Sequence, residues 1–199
     1  MKIGISITSS YDLAAIGSVR TGARWMIERA VAARGAGLDS LFVGDHHVTG
    51  SPYYQNTPML GRLLAEWGDA DVGALYLLPL WQPVLLAEQI ATLASIAEGR
   101  FIVQCGLGRG DDQFSAMGQS IRFRPSAFEE SLKCLRQLWR GETVSSKGRF
   151  HFSAATISPI PPEPIDVWIG ANATVAIERA ARMGAVSYTH LTLPTNREV

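Results

Sequence analysis

Residues 101–111 read Phe101-Ile102-Val103-Gln104-Cys105-Gly106-Leu107-Gly108-Arg109-Gly110-Asp111, an apolar run that breaks into alternating glycines. Glycines directly after a strand let backbone approach a ligand closely, and a dinucleotide-binding sheet carries them as G-x-G-x-x-G after its first strand. Here the first strand-like run is followed by Thr8-Ser9-Ser10-Tyr11, the glycine cluster comes after the fourth run, and its third glycine is misplaced. No Walker A sequence occurs either. The spacing therefore favours a (β/α)8 TIM barrel over an open doubly wound α/β sheet.

Outward from that stretch, strand-length apolar runs alternate with helix-period segments. Strands are expected at 2–7, 40–44, 72–78, 101–105 and 166–170, each apolar on both faces, as parallel strands under helices are. Ala23 to Ala33 places Met26, Ile27, Ala30 and Val31 on one helical face, and Pro83 opens a helix whose stripe is Val84, Ala87, Ile90, Ala91 and Ala94. Ser126-Ala127-Phe128-Glu129 matches a capping box opening a helix with Phe128, Leu132, Leu135 and Leu138 inward. A shorter helix is expected around Met59 to Glu66. Thr143 to Ser153, around Lys147-Gly148, predicts a hairpin, and residues 159–164 predict an extended, proline-rich linker. The pattern amounts to five βα units of an incomplete barrel.

Lys+Arg and Asp+Glu balance at 18 each, so no charge excess points to nucleic acid or an anionic membrane. No run reaches the roughly 18 apolar residues of a membrane span. Cys105 and Cys134 are too few and too far apart for a disulfide framework or zinc ribbon, which fits a reduced cytoplasm.

Two of the four histidines lie in Val43-Gly44-Asp45-His46-His47-Val48-Thr49, where the second strand opens into its loop, the end of a barrel that carries chemistry. Adjacent strand residues point to opposite faces, so His46 and His47 do not readily share a metal, and no third ligand at metal spacing is near. Read alone, the pair suits loop stabilisation better than catalysis. Gly106, Gly108 and Arg109 fit a tight turn and a phosphate contact equally well. Gly170-Ala171-Asn172-Ala173-Thr174 joins the fifth strand to a helix start, which suits a phosphate or an ordinary cap.

Four stretches, GLDSLFVGDHH, VGALYLLPLWQPVLLAEQIATLASIAEGRF, VQCGLGRG and VWIGANATVAIERAARMG, together resemble the bacterial luciferase-like superfamily of flavin-dependent oxidoreductases. The resemblance implies a (β/α)8 barrel acting on a small organic substrate. Either reduced FMN and O2 are used, the FMN supplied by a separate flavin reductase, or the deazaflavin F420 transfers hydride; the first is the preferred expectation. It singles out His46 as acid/base, with Asp45 setting its tautomer or stabilising its cation, and Asp45 departs from the Glu-His-His of the luciferases proper. It assigns cofactor contacts to Leu75 and Tyr76, at a non-prolyl cis peptide, and to Gln104, Gly106, Gly108, Arg109, Gly170, Ala171, Asn172 and Thr174. Trp81 and Gln82 read as packing or loop residues, and Tyr53 and Tyr54 as lining or covering a substrate cavity. A homo-oligomeric parent is implied. A non-catalytic flavin-binding protein, or a non-functional fragment, is the alternative of another class.

After Ala185 the family pattern is lost. Codons for Val186-Ser187-Tyr188-Thr189-His190-Leu191 can spell a transposon end used in sequencing adapters, so the barrel segment is expected to be 1–185 and 186–199 an adapter-derived tail.

Overall fold

The computed structural model describes residues 2–171, 173–183 and 186–188. The chain runs β1 (Gly4–Ile7), α1 (Leu13–Ile16), α2 (Val19–Gly35), β2 (Ser40–Val43), α3 (Asn56–Trp67), β3 (Asp71–Leu77) and α4 (Pro83–Ile96). It continues with β4 (Phe101–Gly106), α5 (Asp111–Ala116), α6 (Arg124–Trp139), β5 (Val144–Lys147), β6 (His151–Ala155), β7 (Asp166–Gly170), α7 (Thr174–Arg182) and β8 (Val186–Tyr188). The main sheet has the order β1-β2-β3-β4-β7-β8 with all neighbours parallel, while β5 and β6 form a separate antiparallel hairpin. Strand order never doubles back, as it would at the switch point of a doubly wound sheet. The backbone of residues 186–188, within the segment expected to be a tail, pairs as the sixth strand.

The two faces of the sheet are unlike. Leu41, Val43, Val72, Ala74, Tyr76, Val103, Cys105, Val167 and Ile169 pack into one core with α2, α3, α4, α6 and α7. Phe42 and Ile102, on alternate positions, are buried outside that core, and the Phe42 and Trp168 rings lie 5.5 Å apart on the other face. The long helices α2, α3, α4, α6 and α7 cover one face, and the other is left open but for Phe114 of short α5, which packs with Leu77 and Leu75; with a strand order that advances steadily, this makes part of a (β/α) barrel rather than a three-layer sandwich.

The expected strands form with ends shifted by one or two residues. The helices depart more. In α2 the buried line is Gly22, Met26, Ala30 and Ala33, and Val31 is 48% exposed, because the helix starts four residues early at the Ser18 cap and its inward face is turned accordingly. The capping box at Ser126 does not open α6. Pro125 lies in the first turn, where its missing N–H costs nothing, and the helix begins at Arg124. Ser126 Oγ instead donates to the Phe123 carbonyl at 3.0 Å. The predicted hairpin forms, held to α6 by the Glu130 carboxylate, which accepts from Ser146 Oγ, Arg149 N and Phe150 N at 2.5, 2.7 and 3.1 Å.

Gly73 marks a tight point of the open face. A Cβ there would sit 2.1 Å from the Ile102 carbonyl oxygen and 2.9 Å from the Phe42 ring, so the sheet itself would have to move. Gly73→Ala should cost at least ~1–3 kcal/mol. Gly61→Ala, inside α3 with nothing nearer than Leu93 Cδ2 at 3.8 Å, should stabilise by about 0.5–1 kcal/mol. Urea unfolding of the two variants should move the midpoint in opposite directions.

Candidate active site

The C-terminal ends of β1 to β4 and β7 gather most of the residues the sequence singled out. Asp45 follows β2 directly and its side chain is fully buried. Its Oδ2 accepts from Leu77 N at 2.7 Å and Trp81 Nε1 at 2.8 Å, tying the end of β2 to the end of β3 and the turn beyond it. Its Oδ1 faces His47 Nε2 at 3.2 Å, not aligned as a hydrogen bond, and each of these two buried atoms lacks any other partner among the described residues.

The carboxylate thus serves His47, not His46 as expected. Extended backbone explains the correction: side chains at 45 and 47 share a face and that at 46 points away. The His47 ring packs edge-on to Trp81 at 5.5 Å. The His46 imidazole is half-buried and tilted against the Tyr53 ring at 5.8 Å.

Two polar latches escaped the sequence reading. Gln113, buried on α5, accepts from His47 N at 2.8 Å and donates to the Arg109 carbonyl at 3.0 Å, joining the β2 and β4 loops. Asn56, fully buried at the start of α3, donates to the Leu75 carbonyl at 2.7 Å. A single buried amide has no periodicity, and only the observed fold reveals it. Gln82 caps α4 through Leu85 N at 2.7 Å, and Trp81 packs between Tyr76 and His47.

Leu75, Gln104 and Gly106 stand together on the open face, with Leu75 opposite Gln104 in register, its Cδ1 3.4 Å from where a Gly106 Cβ would be, and packed against the cluster of Leu77 with Phe114 of α5. Tyr76 does not join them. Its side chain turns into the helix-packed core, with its hydroxyl 3.3 Å from Thr57 Oγ1, and burial pushes its phenol well above the usual range. The Leu75–Tyr76 peptide is trans: the sole cis bond among the described residues is Ser158–Pro159. A non-prolyl cis bond costs about 2.5–4 kcal/mol, and continuous parallel pairing of Leu75 and Tyr76 with β4 supplies no strain to hold one.

The turn after β4 has Gly108 and Gly110 at φ +73° and +87°, which only glycine adopts readily, with the Phe114 ring 3.0 Å from a Gly108 Cβ position. The Gly108 carbonyl accepts from Arg124 Nη1 at 2.8 Å, and the Arg109 side chain is exposed. At the end of β7, Gly170 leads into buried Ala171; Asn172 lies outside the described residues. Thr174 opens α7 after Ala173, whose methyl side chain offers the first N–H groups of that helix no acceptor.

The loop after His47 is a fixed wall. Tyr11 N donates to the Pro52 carbonyl at 3.1 Å and Tyr54 N to the Ser9 carbonyl at 3.0 Å, and Tyr54 Oη bonds the Val19 carbonyl. Tyr53 therefore lines the site against His46 and does not cover it.

With that geometry in view, the chain matches the luciferase-like monooxygenase family over residues 1–198. It belongs to that family. F420-dependent glucose-6-phosphate dehydrogenases are similar: that of Amycolatopsis mediterranei is 28% identical over 173 residues, 82% of this chain and 52% of its own length. That of Beutenbergia cavernae is 31% identical over 172 residues, 81% and 51% of the two chains. The chain spans about half the length of the curated relatives it matches. Among solved structures, the monooxygenase RslO1 of Streptomyces bottropensis superposes with TM-score 0.82 at 24% identity, over 94% of this chain and 59% of that one. An F420-dependent secondary alcohol dehydrogenase with an F420-acetone adduct gives TM-score 0.78 at 22% identity, over 94% and 57%. The FMN-bound oxygenating constituent of 3,6-diketocamphane monooxygenase from Pseudomonas putida gives 0.78 at 20%, over 95% and 57%. These structural likenesses establish that this luciferase-like chain has the fold of part of such a barrel.

Two outcomes follow from the site. Asp45→Ala leaves the buried Leu77 N–H and Trp81 Nε1–H without an acceptor, so denaturant unfolding should show a loss of about 1–3 kcal/mol for each, while Asp45→Asn, which keeps one acceptor oxygen, should lose less. Burial, then the Asp45 charge, pushes the Tyr53 phenol up from 10.0 to about 12, with the nearby Ser9 hydroxyl acting the other way. The folded state therefore holds that proton more tightly than the unfolded chain. The stability this represents is complete below pH 10 and is lost as pH rises toward about 12. Tyr53→Phe should flatten the decline of the unfolding midpoint across that window and remove a late step from the phenolate absorbance titration.

Proposed function

We propose that this chain forms part of an oxidoreductase in which a flavin-type ring lies on the open face, against Leu75, Gln104 and Gly106, and His46 moves the proton. The observation that carries the reading is the convergence of His46, these three positions and the glycine turn at the C-terminal strand ends. The residues fit a planar cofactor. Gly106 leaves space where any other side chain would meet Leu75 and Leu77, while the exposed Arg109 and the uncapped start of α7 offer donors for a phosphate.

Of the two expected cofactors, F420 is now preferred over reduced FMN, because the relatives at 28–31% identity are F420-dependent dehydrogenases, whereas structures of both types share only the fold. Bound F420 supplies hydride acceptance. With that acceptor bound, the His46 ring nitrogen would take the hydroxyl proton of the substrate, a secondary alcohol then becoming a ketone and a hemiacetal a lactone. Tyr53 limits the rotation of the imidazole, and Asp45, through Leu77 and Trp81, holds the strand ends that present it. Reduced FMN with O2, and a separate flavin reductase, remain the second reading, supported by the monooxygenase family match.

The test uses the full chain with oxidised F420 and either glucose 6-phosphate or a panel of secondary alcohols, and in parallel reduced FMN with an oxygen electrode. Loss of the oxidised deazaflavin absorbance without oxygen uptake is expected, and His46→Gln should lower kcat by about 10²–10⁴ while cofactor binding, read by equilibrium dialysis, is retained. Substrate-dependent oxygen uptake with reduced FMN alone would establish the second reading. Dialysis showing that neither cofactor binds would refute the proposal, and binding without turnover would make the chain a flavin carrier.

A further inference from the structure

A cavity of about 250 Å³ lies outside the site just described, between the turn after β3, α5, the start of α6 and the β5–β6 hairpin. Its floor is apolar: Pro79, Phe114 and Ala127 are all buried. Its rim carries Arg149, His151, Gln119 and Ser120. Phe114 separates it from the Gly108 turn.

The rim has an electrostatic peculiarity. The Arg149 guanidinium carbon lies 3.7 Å from the centroid of the Phe123 ring, and that of Arg122 lies 5.6 Å from the same centroid. Arg149 Nε donates to Ser126 Oγ at 3.1 Å, which fixes the plane of the group. Neither guanidinium has a carboxylate within ion-pairing distance among the described residues. The nearby Glu130 carboxylate is engaged by the backbone N–H groups of Arg149 and Phe150 and the hydroxyl of Ser146, so its charge only partly offsets the cluster. Of the two, only Arg149 lines the cavity, together with His151, and an anion seated there gains its planar donors. Stacking on the Phe123 face leaves the Arg149 Nη groups free to receive it.

We propose that this cavity is a second ligand site, taking a small organic anion whose flat apolar body lies against Phe114 and Ala127 and whose carboxylate or phosphate meets Arg149 and His151. The proposal is independent of which cofactor the open face binds. Inorganic phosphate lacks the apolar body and neutral alcohols lack the charge, so the pairing of floor and rim is what selects the ligand.

The probes are benzoate, phenyl phosphate, benzyl alcohol and inorganic phosphate, titrated into the full chain by ligand-observed saturation-transfer NMR and equilibrium dialysis. Benzoate and phenyl phosphate should bind at least tenfold more tightly than benzyl alcohol, and phenyl phosphate at least tenfold more tightly than inorganic phosphate. Arg149→Gln and Phe123→Leu should each weaken benzoate at least tenfold, and His46→Gln should leave it unchanged. Unfolding midpoints of the variants are compared with that of the parent, and His151→Gln, on the exposed rim, gives the same readout if either of the first two fails to fold. Equal binding by the neutral and anionic probes, equal binding by free and phenyl phosphate, no effect of the rim variants, or an effect of His46→Gln alone would each overturn the proposal.

Discussion

The arrangement at the active end depends on one buried carboxylate. Asp45 sits where β2 stops, and a charge without water must find donors. It finds Leu77 N–H, the last backbone donor of β3, and the Trp81 indole N–H one turn later. Hydrogen bonds to an ionised acceptor are the stronger kind. Two strand ends and the start of the β3–α4 connection therefore close around a single side chain. Everything placed nearby inherits that fixity, including the Trp81 ring between Tyr76 and His47 and the Gln113 latch from His47 to the β4 turn.

The same alternation assigns the two histidines. With Asp45 turned to the helix-packed side, His47 follows it and His46 faces the other way, where Tyr53 is its ring neighbour. A strand with 45 and 46 exchanged in facing would put the proton-transfer candidate in the core and leave a carboxylate on the open face. Position on the strand, more than residue type, separates the histidine held beside the buried carboxylate from the one on the open face.

Legibility followed from how each feature is encoded. Parallel strands such as 101–106 are continuous apolar runs, and their absence of an early G-x-G-x-x-G spoke against the doubly wound sheet that the one-sided helices now exclude. Helix interiors were legible from period, but helix starts were misjudged at Ser126 because a capping-box match competes with Pro125 one residue earlier, and the proline prevails. Val31 was placed inward because an eleven-residue reading of α2 averages its face differently from the full helix. The partner of Asp45 was misassigned although the facing rule that excluded a shared metal already contained the answer. Gln113 and Asn56 were invisible for a different reason: each satisfies one backbone group on a distant loop, a pairing that exists only once the chain has folded.

Gly73 and Gly106 show how the open face is kept receptive. Both lie on alternate positions of adjacent strands, facing away from the helices, and at both a Cβ would press on Phe42, Ile102 or the Leu77 side chain. A helix-covered strand gains from large side chains at every position, as Leu41, Tyr76 and Cys105 demonstrate on the packed side. Glycine on the opposite side forgoes that burial and weakens the strand by roughly 0.5–1 kcal/mol. The cost is tolerated where strands and the Phe42 and Leu75 side chains pack this closely. Glycine persists on this face because its neighbours already stand where a Cβ would be, the Ile102 carbonyl and the Phe42 ring around Gly73, Leu77 and Leu75 around Gly106.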